Sequence, residues 1–225
     1  MLDFKKEFIE FMVDSGVLTF GDFTTKSGRK TPFFINTGNY DNGAQMEKLG
    51  EFYARAIEKE LAGNYDGLYG PAYKGIPLCI TTSVALNKLF HKNVYFTFNR
   101  KEAKTHGEGG SLIGHKLQKG EKLVIVEDVI TAGTAIRESL PVINAAADVE
   151  ITAIVVSVDR MEKGTGELSA IAQVEADFGI KTFAIVTIEE VVDYLHNREL
   201  NGKVVVDDKM KSNIEAYREK YGATK

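Results

Sequence analysis

Leu123-Val124-Ile125-Val126-Glu127-Asp128-Val129-Ile130-Thr131-Ala132-Gly133-Thr134-Ala135 is the stretch on which the fold is decided. Four apolar residues without polar alternation describe a strand buried on both faces, which belongs to a parallel sheet covered by helices. Two adjacent carboxylates close that strand, at the carboxyl edge where open α/β sheets bind ligands. Small and hydroxylated residues follow, where a helix should begin. Free N–H groups, the Thr131 and Thr134 hydroxyls and the positive helix end suit a phosphate, and Gly133 lets the backbone come close. Carboxylates would repel that phosphate, so Glu127 and Asp128 make sense against ribose hydroxyls or Mg²⁺. Solvated acids before a Thr cap would be the ordinary reading of each part, but not of the thirteen residues together.

Outward from this stretch, strand and helix patterns alternate. Residues 66–69, 94–98, 123–126, 151–158 and 181–186 read as strands, and 44–61, 76–90, 135–146, 167–178 and 188–195 as helices. An amphipathic helix opens the chain through Phe4, Phe8, Ile9, Phe11 and Met12, ending near Gly16, and 207–221 reads as a terminal helix. Residues 17–36, rich in Thr and Phe and broken by Ser27-Gly28-Arg29-Lys30, read as short strands around a turn. The expected fold class is therefore α/β, a parallel central sheet flanked by helices with right-handed connections.

With 28 Lys and Arg against 32 Asp and Glu, the net charge of -4 argues against broad nucleic-acid or anionic-membrane binding, though not against a local basic site. A single cysteine excludes an intrachain disulfide and a multi-thiolate metal site, and the apolar surroundings of Cys79 read as a buried reduced thiol. The first residues lack the apolar core of a signal peptide, and no apolar run approaches the roughly 20 residues that span a bilayer. A cytoplasmic chain is expected, organised as one domain over 1–225.

Two more segments carry chemistry. Gly70-Pro71-Ala72-Tyr73-Lys74-Gly75-Ile76-Pro77 links a strand to a helix with small residues and one lysine, which suits an anion, although alone it would pass as a turn with a surface lysine. Asn99 to Gly110 is a polar interruption carrying Arg100, Lys101, Lys104 and His106 against Glu102 and Glu108. By composition it is a solvated loop; beside two phosphate cradles, its bias towards cations suits a bound polyanion.

The 123–135 stretch resembles the 5-phosphoribosyl-1-pyrophosphate (PRPP) motif of type I phosphoribosyltransferases. The chain has neither a Gly-x-x-x-x-Gly-Lys-Ser/Thr loop nor a Gly-x-Gly-x-x-Gly fingerprint. Arg-Lys-Glu-x-Lys-x-His-Gly at 100–107 resembles the catalytic loop of the orotate phosphoribosyltransferases, and Phe20 to Ile35 resembles their N-terminal hood. With Ser157-Val158-Asp159-Arg160, the resemblance spans about 20–160 in five segments in order.

The resemblance implies a type I phosphoribosyltransferase fold with a small hood at about 1–40 and a mobile catalytic loop at about 99–111. It implies PRPP contacts from Lys26, Tyr73, Lys74, Arg100, Lys101, Lys104, His106, Glu127, Asp128, Val129, Ile130, Thr131, Ala132, Gly133, Thr134 and Ala135. Among these, Lys26, Arg100, Lys101, Lys104, His106 and Asp128 would be catalytic, with Lys101 able to act in trans. Orotate would meet Phe33, Phe34, Thr131 and Arg160, the last through its carboxylate, and one of the two phenylalanines should be core. A non-proline cis peptide is implied near Ala72–Tyr73. Mg²⁺ is implied as cofactor, held by substrate oxygens and water without a dedicated protein cage. The partners implied are orotate, PRPP and a second copy of the chain, with no nucleic acid and no membrane. Two other readings stay open at this point: a phosphoribosyltransferase for another base, and a PRPP-sensing regulator that has lost catalysis.

Overall fold

The computed structural model describes residues 1–25, 28–100, 111–131, 133–164 and 166–223. In chain order the elements are α1 (Asp3–Asp14), β1 (Leu18–Thr24), β2 (Lys30–Ile35), α2 (Gly43–Leu61), β3 (Gly67–Gly70), α3 (Gly75–Phe90), β4 (Tyr95–Asn99), β5 (Leu112–Gly114) and β6 (Lys122–Val126). They continue as α4 (Thr134–Ala146), β7 (Glu150–Asp159), α5 (Ala170–Phe178), β8 (Thr182–Thr187), α6 (Ile188–Leu195), β9 (Glu199–Leu200), β10 (Lys203–Val204) and α7 (Asp208–Tyr221).

Six strands form the central sheet in the order β5-β4-β3-β6-β7-β8. All neighbours are parallel except β4 and β5, which pair antiparallel through Thr97–Gly114, Phe98–Ile113 and Asn99–Leu112. The expectation of a parallel sheet therefore needs one correction, an antiparallel edge strand. Leu112-Ile113-Gly114 is too short to carry a period of its own, and the open edge of β4 makes it a strand. The two-residue strands β9 and β10 were equally invisible. Helix α5 begins at Ala170 rather than 167, because the Ser169 side chain caps it there by accepting from the Ala172 N–H.

Burial on both sheet faces is visible residue by residue. Val124 and Val126 point into one core with Phe52, Tyr53, Leu78 and Leu86 of α2 and α3. Leu123 and Ile125 point into the other with Ile136, Ile143 and Val174 of α4 and α5. Apart from the sheet, β1 and β2 form an antiparallel hairpin. Helix α7 lies on it, with the Tyr217 ring edge-on to Phe33 at 5.9 Å.

This strand order places the site. From β3 the chain winds outward to β4, then returns to lay β6 on the other side of β3 and winds outward again to β7 and β8. The winding direction reverses between β3 and β6, and the loops leaving their carboxyl ends separate to open a crevice there. Those loops are 71–74 and 127–133, the two that the sequence had marked for anions.

Candidate active site

Glu127 and Asp128 leave β6 together but take different environments. Both are nearly buried, at 6% and 8% exposure. Asp128 Oδ2 accepts from Thr37 Oγ1 at 2.6 Å and from Lys74 Nζ at 2.8 Å, and Oδ1 accepts from the Val129 N–H at 2.8 Å. Burial opposes ionisation of Asp128, yet Lys74, Thr37 and the Val129 N–H outweigh it and hold the carboxyl below its ordinary value. Among the described residues the Glu127 carboxyl has only the Asp128 N–H, donating to Oε1 at 2.9 Å. Burial, reinforced by the neighbouring carboxylate, pushes Glu127 up to about 8. The two environments thus favour the ionised form of Asp128 and the protonated form of Glu127.

The backbone beneath is pinned. Tyr53 Oη donates to the Glu127 carbonyl at 2.8 Å, and Ser157 Oγ donates to the Asp128 carbonyl at 2.6 Å. Across the crevice, Lys74 Nζ also donates to Thr37 Oγ1 at 2.9 Å, so β3, β6 and the segment after β2 meet at one carboxylate.

Both loops feed helices whose N-termini have no side-chain cap, α3 at Lys74 and α4 at Gly133. By contrast Asn42, Ser169, Thr187 and Asp207 cap α2, α5, α6 and α7. Helix α1 is also uncapped but lies away from the crevice. First-turn N–H groups without a side-chain cap are suited to an anion. Gly133 has φ +69, and a Cβ there would stand 2.8 Å from Val174 Cγ2, so close packing as well as conformation calls for glycine. In the other loop the Ala72–Tyr73 peptide bond is cis, as the resemblance implied. The Ala72 N–H donates to Asn99 Oδ1 at 2.8 Å, tying this loop to the end of β4 and so to Arg100.

A cavity of about 470 Å³ begins at Val129, the residue after the carboxylates, and is lined by Phe34, Thr131 and Arg160 among others. Three of the four residues expected to meet a base therefore share one wall. Phe33 does not: it is the core member of the pair, fully buried, with the Arg160 guanidinium 4.6 Å above its ring. Phe34 keeps 38% of its surface exposed. Arg160 gives Nε and Nη2 to Glu162 Oε1 at 3.1 and 2.6 Å, so an internal carboxylate holds it.

Tyr73 is exposed beside Lys74. Arg100 follows β4, with its N–H on the Ser111 carbonyl at 2.8 Å and its buried Nε without a hydrogen-bond partner among the described residues. Lys26, Lys101, Lys104, His106 and Ala132 lie outside the described residues. Cys79 is buried, and burial pushes its thiol up to about 12, as expected of an inert cysteine. Sequence reasoning missed Thr37, Tyr53, Asn99 and Ser157. Each acts through hydrogen bonds that span 27 or more positions of chain, and no local pattern marks those partners.

A crevice at a sheet reversal, a strand-end carboxylate pair and two uncapped helix starts define a phosphoribosyltransferase domain. The phosphoribosyl transferase domain family model matches residues 36–174, and the chain belongs to that family. The chain is 56% identical over 223 residues to the orotate phosphoribosyltransferase of Clostridium beijerinckii, covering 99% of this chain and 100% of that one. It is 48% identical over 225 residues to that of Colwellia psychrerythraea, covering 99% and 100%. The crystal structure of the Francisella tularensis orotate phosphoribosyltransferase superposes with a TM-score of 0.83 at 36% identity, covering 96% of this chain and all of that one. Within the family, the chain's place is with the orotate phosphoribosyltransferases.

Proposed function

We propose that the chain transfers ribose 5-phosphate from PRPP to N1 of orotate, giving orotidine 5′-monophosphate and pyrophosphate in pyrimidine synthesis. The observation that carries this reading is Asp128 at the sheet reversal, bound by Lys74 and next to a cavity with an arginine in its wall. A phosphorylated sugar and an anionic base can lie end to end there. Val129 to Ala135, with the N-terminus of α4, would take the 5′-phosphate. Glu127 and Asp128 would hold the ribose hydroxyls, with Thr37 and Lys74 releasing Asp128 Oδ2 as the sugar arrives. Phe34 and Thr131 would line the base, and Arg160 would pair with its carboxylate, a group that uracil and hypoxanthine lack.

Orotate N1 would displace pyrophosphate from C1 of the ribose with inversion. Negative charge grows on the leaving group as that bond breaks, and cations placed beforehand lower the barrier. Tyr73 and Lys74 would hold the pyrophosphate. By resemblance Lys26, Arg100, Lys101, Lys104 and His106 would complete the cover, the loop reaching the site of a second subunit in a homodimer. The hairpin β1–β2 would form the hood of a single domain.

The donor set fits Mg²⁺. Glu127 and Asp128 are the carboxylates at hand, and no group of three metal-ligating side chains exists among the described residues. Mg²⁺ retains water and takes substrate oxygens, so this suffices. When bound, the ion would neutralise charge developing on pyrophosphate. No described helix is long and apolar enough to cross a membrane. Phosphorylated substrates do not cross bilayers unaided, so the reading places the enzyme in the cytoplasm.

Orotate absorbance should fall on adding PRPP and Mg²⁺ to the purified protein, with no turnover of uracil, adenine or hypoxanthine. Turnover of one of those bases in place of orotate would overturn the assignment.

A further inference from the structure

Glu162 stands between two arginines that come from distant parts of the chain. Its Oε1 accepts from Nε and Nη2 of Arg160, and its Oε2 lies 3.3 Å from Nη1 of Arg29. Arg160 follows β7, whereas Arg29 belongs to the turn of the β1–β2 hairpin. All three line the cavity with Phe34 and Thr131. Each arginine also lies over an aromatic ring, Arg160 over Phe33 at 4.6 Å and Arg29 over Tyr221 at 4.5 Å. The other cations of that wall, Arg137 and Lys163, are paired with Asp177 and Glu167.

We propose that Glu162 is a positioning residue for base recognition: it fixes the Nε/Nη2 edge of Arg160 so that the Nη1 side is left to the carboxylate of the incoming base. The inference rests on the reading that Arg160 receives that carboxylate. A guanidinium presents five donors in a rigid plane, and Glu162 uses only two of them. With the Phe33 ring against one face and Glu162 on one edge, the plane cannot rotate about its long side chain. Glu162 also draws Arg29, and with it the hairpin carrying Phe34, onto the same cavity.

The test is steady-state kinetics of Glu162→Ala, Glu162→Gln and Arg160→Ala, each with orotate and PRPP varied in turn. Losing the hydrogen bonds that orient a charged group should raise the orotate KM of Glu162→Ala about tenfold, with the PRPP KM within about twofold of the parent. Gln keeps one acceptor oxygen for Arg160, so its orotate KM should fall between those of the parent and Glu162→Ala. Unchanged PRPP KM also shows that the variants are folded. An orotate KM that stays put in Glu162→Ala while Arg160→Ala raises it would overturn the role of Glu162 alone. A lower orotate KM in Glu162→Ala would also overturn it, since Glu162 would then be competing with the substrate. An orotate KM indifferent to Arg160→Ala would remove the reading of the base site, and this inference with it.

Discussion

Glu127 and Asp128 are chemically near-twins one bond apart in sequence, yet the fold drives their carboxyls in opposite directions. Asp128 has Lys74 and Thr37 on one oxygen; Glu127 has one backbone N–H and a buried anion beside it. For Glu127, pushed up to about 8, the folded chain holds its proton more tightly than the unfolded chain does. Below about pH 4.5 both states are protonated and nothing changes. Between there and about 8 the unfolded chain alone ionises, so stability falls as pH rises, by at most about 1.4 kcal/mol per pH unit. Glu127→Gln removes this penalty while keeping an acceptor for the Asp128 N–H. Its melting temperature should match the parent near pH 4.5 and exceed it by several degrees at pH 8.5. Parallel melting curves for the two proteins across that range would contradict the burial of an uncompensated carboxyl. The carboxylate pair was legible in the sequence because both residues follow an unbroken apolar strand. The difference between them was not, since Thr37 and Lys74 are 91 and 54 residues distant from Asp128.

Helices and strands were legible wherever an element carried its own period. The boundaries of α2, α3, α6 and β6 lie within a residue or so of those read from apolar spacing, because each buries a full face of its own. Strand β5 has no such face. Packing between elements also inverts a rule of local propensity. Gly50 sits inside α2, where alanine would ordinarily be better by about 1 kcal/mol. A Cβ there would stand 2.6 Å from the Thr81 carbonyl oxygen of α3. Gly50→Ala should therefore destabilise the protein, by about 1–3 kcal/mol, as the two helices are forced apart. Urea denaturation reads this directly, and a raised midpoint would show that α3 yields without cost.

At the scale of the molecule, the proposed sharing of the loop between subunits makes a quantitative prediction. Lys104→Ala should lose most of its kcat with the fold intact, and Asp128→Asn should be similarly impaired. If the loop serves the neighbouring site, a mixed dimer of the two carries one site with an intact Asp128 and a loop with an intact Lys104 supplied by the other chain. Unfolding and refolding an equal mixture should then restore about a quarter of the parent activity, since half the dimers are mixed and half their sites are complete. A mixture as inactive as its components would place the loop over its own site.

The sequence by itself determined the α/β class, the two strand-to-helix loops proposed for anions, the carboxylate pair, the burial of Cys79 and the family, because each is written in contiguous residues whose spacing or chemistry is local. Tertiary structure alone decided which strands are neighbours, and hence that loops 71–74 and 127–133 open at one reversal of the sheet. It alone decided that Phe33 is core while Phe34 faces the cavity, and that Thr37 and Glu162 hold a lysine, an aspartate and two arginines in place. Ionisation, hydrogen bonding and aromatic contact depend on distances of about 3–5 Å, and between segments far apart in the chain only folding sets such distances.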